Sequence, residues 1–339
     1  MIEINGNKCH ATQMGKLKPA LAYDESKDYS AWKAQIATKL CELTGIDLIA
    51  ENACEPNLTV EEDIMMDGYR RIRFVFYSEI DAMVPCYLLI PDTNKEKYPL
   101  MITLQGHTTG MHISLGIEKY PGDEEYSTNS AFALQAVENG YAALCIEQRS
   151  MGERRPPDIA DRAHNCCFQT HNAFMLGRTT IGERVWDISR AIDLMASFPQ
   201  IDTGKIGITG NSGGGTASFY AACLDERIKV AAPSCAFCPY KDSIMAMLHC
   251  GCNYIPSAYR YFEMEDLSCL IAPRTLICVN GEKDPIFPYE AAKRAFDTVK
   301  RIYAREGAEQ NCKIVPTPMA HWWMPDIIWP EINAAFAKI

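Results

Sequence analysis

The chain has 339 residues, of which 47% are hydrophobic and 22% are charged. That length allows one large domain or two modest ones, and that composition excludes wholesale disorder. The 43 acidic and 33 basic side chains give a formal net charge of −10. Because such a surface repels phosphate backbones and anionic lipids, we expect neither a nucleic acid nor a membrane as a partner.

The first thirty residues mix charged side chains with apolar ones and contain no apolar segment of the kind found in export signals. We therefore expect a cytoplasmic protein. In a reducing compartment cysteines remain thiols, and the 15 cysteines are odd in number. The sequence thus predicts free thiols rather than disulfides.

Residues 1–60 read as a helical extension without a chemical motif. Within them, Trp32, Ile36, Leu40 and Leu43 recur at steps of three and four residues, and Gly45 follows. This spacing predicts an amphipathic helix that ends at the glycine. We expect the extension to pack on the rest of the chain.

From Tyr69 onward the pattern changes to short apolar runs. The first two, RIRFVFYSEI and MVPCYLLIP, predict an antiparallel hairpin. Six further strand candidates follow: YPLMITLQ, YAALCIEQ, KIGITG, IKVAAPSC, RTLICVN and CKIVP. Between these strands lie the helical patterns SAFALQAVENG, ERVWDISRAIDLMASF, GGTASFYAACLDE and YEAAKRAFDTVKRIYARE.

The alternation of strands and helices predicts a three-layer α/β domain over residues 61–339, with helices on both faces of a mostly parallel, twisted sheet. In such a domain the loops at the carboxyl ends of the strands form the site. Periodicity is weak at about residues 150–180 and 235–269, where we predict lid-like insertions over a pocket.

The most informative motif is a sharp turn between a strand and a helix, Gly210-Asn211-Ser212-Gly213-Gly214. A G-x-S-x-G turn in this context projects the serine at a helix N-terminus, where backbone amides can stabilise an oxyanion. Glycines are needed because side chains at these positions would collide with the neighbouring backbone. Ser212 is therefore the candidate nucleophile.

A serine hydroxyl needs a base and a carboxylate to become nucleophilic. Asp284 follows the strand TLICVNG and His321 follows the next strand. The chain order serine, aspartate, histidine is the one found with this type of turn. Glu282 is the rival acid, but the longer loop excursion before Pro285 favours Asp284.

The oxyanion needs two donors, and Gly213, directly after the nucleophile, supplies one of the two predicted N–H groups. The loop LQGHTTG supplies the other, from His107, with Thr108 as the alternative. His107 and His112 could also be metal ligands, but no carboxylate lies at a suitable spacing, and we predict no metal site.

Five side chains are candidates for substrate binding. Arg149 could hold a carboxylate of the substrate. The alternative is an internal ion pair with Glu147, Glu153 or Asp187, which is the more common fate of such a residue. Aromatic side chains are expected to wall the pocket, where they also suit the stacking of a sugar; they are Tyr254, Phe287, Trp322 and Trp323.

These segments together resemble the α/β-hydrolase superfamily, and within it the dienelactone hydrolase-like and acetyl xylan esterase-like branch. The resemblance covers roughly residues 70–339 and includes LQGHTTG, GYAALCIEQRSMGER, KIGITGNSGGG, HCGCNYIP and VNGEKDPIFP. It implies the α/β-hydrolase fold and a serine esterase without a cofactor, often one that acts on acetyl esters of sugars. The family's nucleophile, acid and base fall on Ser212, Asp284 and His321. Gln105 stands where many relatives have a histidine.

The sequence thus predicts an esterase for a small ester, and it leaves a homo-oligomer open. A serine peptidase of the same fold is one alternative. A second alternative is a thiol or metal-binding protein centred on the cysteines between Cys235 and Cys252, although their spacing departs from that of common zinc knuckles.

Overall fold

A nine-stranded, mostly parallel sheet forms the centre of the molecule. The computed structural model describes residues 5–127, 129–156 and 166–339. The strands in chain order are β1 (Thr59–Met66), β2 (Tyr69–Glu79), β3 (Ala82–Pro91), β4 (Tyr98–Leu104), β5 (Ala142–Ile146), β6 (Ile201–Asn211), β7 (Ile228–Ser234), β8 (Thr275–Gly281) and β9 (Cys312–Thr317). Their order across the sheet is β1-β2-β3-β5-β4-β6-β7-β8-β9. The pairs β1/β2, β2/β3 and β3/β5 are antiparallel, and all later pairs are parallel.

Helices cover both faces of this sheet. They are α1 (Lys8–Lys16), α2 (Tyr29–Thr44), α3 (Ile46–Ala50), α4 (Glu124–Ser127), α5 (Phe132–Glu138), α6 (Cys166–Met175), α7 (Thr180–Leu194), α8 (Gly213–Leu224), α9 (Tyr289–Arg305) and α10 (Pro325–Phe336). Within the ranges that the structure describes, we find no helix with both the length and the apolar composition that a bilayer crossing requires.

Side chains of the central strands alternate between two cores. On β4, Leu100 and Ile102 pack with residues of α2, α7, α8 and α9. Met101, between them, packs on the other face with residues of α5 and α10. Successive side chains of a strand point to opposite faces, so a strand that is apolar throughout can be covered on both. The predicted three-layer α/β fold is confirmed.

Helix α2 joins the first of these cores. Asp28 caps its N-terminus by accepting a hydrogen bond from the Ala31 N–H at 2.7 Å, and Gly45 ends it with φ of 72°. Its buried side chains, Trp32 among them, pack in the same core as α7 and α8. The N-terminal segment is thus part of the hydrophobic core rather than a separate layer.

The two segments predicted as insertions differ in structure. In the first, residues 157–165 lie outside the described residues, and the rest includes α6 and the start of α7. The second, 235–269, is a succession of short 3₁₀ turns. Residues 247–250 of this segment line the cavity that also contains Ser212.

Candidate active site

The candidate nucleophile Ser212 lies between the last residue of β6 and the first residue of α8. Its backbone has φ of 56° and ψ of −122°, a region that costs a non-glycine residue conformational energy. A Cβ at Gly210 or at Gly214 would collide with the Leu104 carbonyl oxygen. The tight turn therefore requires these glycines, as the sequence motif predicts.

His321 and Asp284 are joined by a short hydrogen bond. The distance between His321 Nδ1 and Asp284 Oδ2 is 2.7 Å. The other carboxylate oxygen of Asp284 accepts hydrogen bonds from the Ile286 and Phe287 N–H groups at 2.8 and 3.1 Å. The rival Glu282 is exposed. The structure thus pairs Asp284 with the histidine, and the imidazole keeps its Nε2 for another partner.

The ring of Phe287 packs on the imidazole of His321. The two ring centroids are 5.8 Å apart and the planes are nearly parallel, at 13°. Together with the bond to Asp284, this stacking restricts the rotation of the histidine. Phe287, predicted as a wall of the pocket, both lines the cavity and orients the candidate base.

Ser212 and His321 line a single cavity of about 500 Å³. No hydrogen bond joins the two side chains directly in the part of the chain that the structure covers. Catalytic hydrogen bonds commonly shorten only when substrate is present. The histidine that Asp284 orients and the serine in the strained turn therefore line the same cavity.

The residues that carry the two predicted oxyanion donors lie next to each other. A Cβ at Gly213 would lie 2.8 Å from Cε1 of His107, which puts the first residue of α8 in contact with the loop after β4. The Thr108 N–H already donates to the Gly106 carbonyl oxygen at 2.8 Å. Of the two amides considered, that of His107 is the one left for a ligand.

The buried carboxylate of Glu147 anchors the loop after β4 through hydrogen bonds. Glu147 accepts hydrogen bonds from the Gln105 side-chain amide at 2.8 Å and from the Met111 N–H at 3.2 Å. Burial raises the pKa of Glu147 to about 7. Sequence reasoning considers Glu147 only as a partner of Arg149. The available sequence signal is that Glu147 follows β5, which pairs with β4, and that Gln105 follows β4.

Arg149 lies outside the cavity and does not contact the space in front of Ser212. Its guanidinium bonds Asp187 at 2.9 and 3.0 Å and lies 2.7 Å from Glu79. The substrate-binding assignment of Arg149 is therefore not supported, and its side chain belongs to an internal ion-pair network. These acids hold the long, flexible side chain of Arg149 in the ion-pair network.

The remaining aromatic candidates divide between the cavity and its surroundings. Trp322 lines the cavity and stacks on Tyr126. Trp323, its neighbour, is 2% exposed and donates to the Gln135 side-chain oxygen at 2.9 Å, so it is a core residue and not a contact for substrate. Tyr254 lines a second cavity, of about 440 Å³, beside α1.

The cysteines do not all remain thiols. Cys166 and Cys250 form a disulfide, and the prediction of free thiols throughout is wrong for this pair. The remaining 13 cysteines are free. The Sγ of Cys252 lies 3.0 Å from Nε2 of His107, a contact that sequence reasoning misses because the two residues are 145 positions apart. Burial raises the pKa of this thiol, but Arg184 and His107 outweigh that effect and lower it to about 6.

His112 is not close to this group. It is 4% exposed and its Nε2 lies 2.9 Å from the Asp123 carboxylate. The hydrogen bonds that Asp123 accepts from Thr109, His112 and two backbone amides outweigh burial and lower its pKa to about 2. His112 therefore braces the loop after β4 as an internal partner of Asp123.

Known proteins resemble the chain over most of its length. The Abhydrolase family model matches residues 6–322. The protein YtaP of Bacillus subtilis (strain 168) is 26% identical over 241 residues, which cover 70% of this chain and 78% of that protein.

Three solved structures share the fold at low sequence identity. BF1801 of Bacteroides fragilis NCTC 9343 has a TM-score of 0.79 at 16% identity, and the match covers 98% of this chain and 95% of that one. The glucuronoyl esterase of Solibacter usitatus has a TM-score of 0.66 at 14% identity, and the match covers 96% of this chain and 98% of that one. The acetyl xylan esterase of Paenibacillus sp. R4 has a TM-score of 0.60 at 15% identity, and the match again covers 96% of this chain and 98% of that one.

Proposed function

Because the chain belongs to the Abhydrolase family, we propose that this hydrolase is a serine esterase that cleaves a small carboxylic ester through Ser212, His321 and Asp284. One observation carries the proposal. A serine in a strained turn and a histidine bonded to a buried aspartate line the same cavity. Nucleophile, base and orienting acid are the three groups that acyl transfer through a serine needs.

In the proposed first step, His321 Nε2 accepts the hydroxyl proton of Ser212 while Oγ attacks the ester carbonyl carbon. The N–H groups of Gly213 and His107 donate to the resulting oxyanion. The intermediate collapses, its carbon–oxygen bond to the alcohol breaks, and His321 returns the proton to the leaving oxygen. Asp284 stabilises the imidazolium formed in between.

The second step releases the acyl group. Water replaces the alcohol, His321 takes one of its protons, and the hydroxide attacks the acyl carbon on Ser212. This intermediate collapses, its bond between the acyl carbon and Oγ breaks, and His321 returns the proton to Oγ, which frees the carboxylic acid and restores the serine hydroxyl. Both steps use only protein groups and water.

The substrate is proposed to be a short acyl ester, with a sugar as a candidate alcohol. A cavity of about 500 Å³ is in the range of small-molecule sites, roughly 300–1,000 Å³. Phe132, Trp322 and Tyr126 line it, and aromatic rings offer flat apolar faces for a sugar ring. The names of the acetyl xylan and glucuronoyl esterases that share the fold agree with this class.

The test is the hydrolysis of p-nitrophenyl acetate by Ser212→Ala. We expect kcat to fall by about 10⁴-fold or more, as in other triads that lose the nucleophile, while the circular dichroism spectrum stays that of the wild type. Ser197→Ala, at an exposed serine far from the cavity, is the control and should retain full activity. Wild-type turnover by Ser212→Ala would refute the proposal, and preferential cleavage of peptide amides would favour a peptidase.

A further inference from the structure

One histidine and three cysteines converge at the rim of the catalytic cavity. They come from three separate segments: His107 from the loop after β4, Cys166 from the start of α6, and Cys250 and Cys252 from the turns of 235–269. One ligand atom from each of the four lies within 4.8 Å of every other. These residues, called the Cys₃His cluster below, are 59 or more positions apart except for the last pair.

The donor set is the one that zinc uses in closed structural sites. Zn²⁺ takes four ligands in a tetrahedron, and three thiolates with one imidazole are among its common combinations. With Zn–S bonds of about 2.3 Å, the donor atoms of such a site lie just under 4 Å apart. A cluster already confined to 4.8 Å needs only small side-chain rotations to reach this geometry, and the Cys252 to His107 contact of 3.0 Å is close to it.

The surroundings provide the charge balance that this site requires. Three thiolates, a neutral imidazole and Zn²⁺ carry a net charge of −1. The guanidinium of Arg184 is adjacent to Cys252 and is 2% exposed. Its Nε is buried and, among the residues that the structure describes, has no hydrogen-bond partner. A buried cation beside the cluster is costly unless an anion compensates it, and a zinc tris-thiolate would do so.

We propose that His107, Cys166, Cys250 and Cys252 bind one Zn²⁺ as a structural site that ties the oxyanion loop to α6. The metal site and the Cys166–Cys250 disulfide are alternative states of the same cysteines. A phosphine reductant first converts the disulfide to two thiols, with uptake of two electrons and two protons. Zn²⁺ then binds the three sulfurs as thiolates and displaces the protons that the thiols still carry. This inference goes beyond the esterase proposal and does not depend on it.

The test measures bound metal. The full-length protein is reduced with a phosphine, incubated with ZnCl₂, freed of excess metal by gel filtration and analysed by mass spectrometry of the metal. We expect about one zinc per chain, as a single Cys₃His site requires. Cys252→Ser is expected to lose the metal. Cys167→Ser, next to a ligand in the sequence but itself a free cysteine outside the cluster, should retain it.

Cobalt tests the wild type without relying on the folding of a variant. Co²⁺ added to the reduced protein should give thiolate-to-metal charge transfer in the near ultraviolet and the intense visible bands of a tetrahedral ion. Zinc should then abolish both. A reduced wild type that retains no zinc and shows no such bands would overturn the proposal, as would Cys252→Ser with the zinc content of Cys167→Ser.

Discussion

Glu147 is a buried side chain that fixes the loop after β4 by hydrogen bonds. Its carboxylate accepts the Gln105 amide and the Met111 N–H at the two ends of the loop that presents His107. Both donors are in the interior, where an unpaired polar group is costly. Glu147 is therefore a positioning residue for the proposed oxyanion hole.

Replacing Glu147 with alanine should leave these donors unpaired, at a cost of about 1–3 kcal/mol in the free energy of unfolding. Because the loop carries a donor needed in the transition state, kcat for an ester should fall by about 10-fold or more while KM changes little. Steady-state kinetics and urea unfolding measure the two effects. Glu138→Ala, at an exposed glutamate of α5, is the control. A raised KM with normal kcat would contradict the positioning role.

The sequence predicts the positions of those site residues that the order of the strands alone brings together. Ser212, Asp284 and His321 each lie in a loop that follows a parallel strand, so the sheet brings them to one edge. Arg149 and Trp323 also lie near strand ends, but their direction depends on tertiary contacts with Asp187 and Gln135. The sequence pattern contains no such contacts. The contact between His107 and Cys252 is a tertiary contact of the same kind, and the sequence pattern does not predict it.

At the scale of elements, the predicted strands correspond to β2–β9, because each is an apolar run that the sheet buries. β1 escapes prediction since half of its sequence, TVEEDIMM, is polar and most of the strand is exposed. Its acidic residues pair with arginines of β2, as in Arg71 with Glu62 at 2.8 Å. An edge strand held by cross-strand ion pairs has no apolar alternation to reveal it.

Two helices also lack a clear sequence signal. α10 contains Pro330 within its length, and proline ordinarily indicates a break in a helix. It persists because Trp329 and Ile332 are buried against the sheet. α6 lies in the predicted insertion, where only three of its ten residues are buried. Tertiary packing thus determines α10, whereas α6 buries too few residues to show an apolar stripe.

On the scale of the whole molecule, a group of buried acids links stability to pH. Glu263, Glu265 and Asp266 lie together in the segment 235–269. Burial, with repulsion from Glu263 and Asp266, raises the pKa of Glu265 to about 8. Its Oε2 is buried and has no hydrogen-bond partner within the described ranges. Burial also raises the pKa of Glu263 and of Asp266. The folded protein therefore retains protons that the unfolded chain releases.

The sign of the effect follows from linkage. The stabilisation by the bound proton is fully present below the ordinary glutamate pKa and is lost as the pH rises through about 8. We expect the free energy of unfolding to fall between pH 5 and pH 9, and Glu265→Gln, which does not titrate, to fall less. Urea unfolding at the two pH values measures this, with the exposed Glu309→Gln as control. An equal fall in Glu265→Gln and wild type would contradict the assignment.

Covalent labelling can detect the proposed activation of Ser212 by His321. A fluorophosphonate should add once to the wild type, with peptide mapping placing the adduct on Ser212, and should add far more slowly to His321→Ala, because the hydroxyl then has no base. Ser212→Ala should remain unlabelled. A wild type that hydrolyses esters yet stays unmodified, or carries the adduct on another residue, would contradict the account.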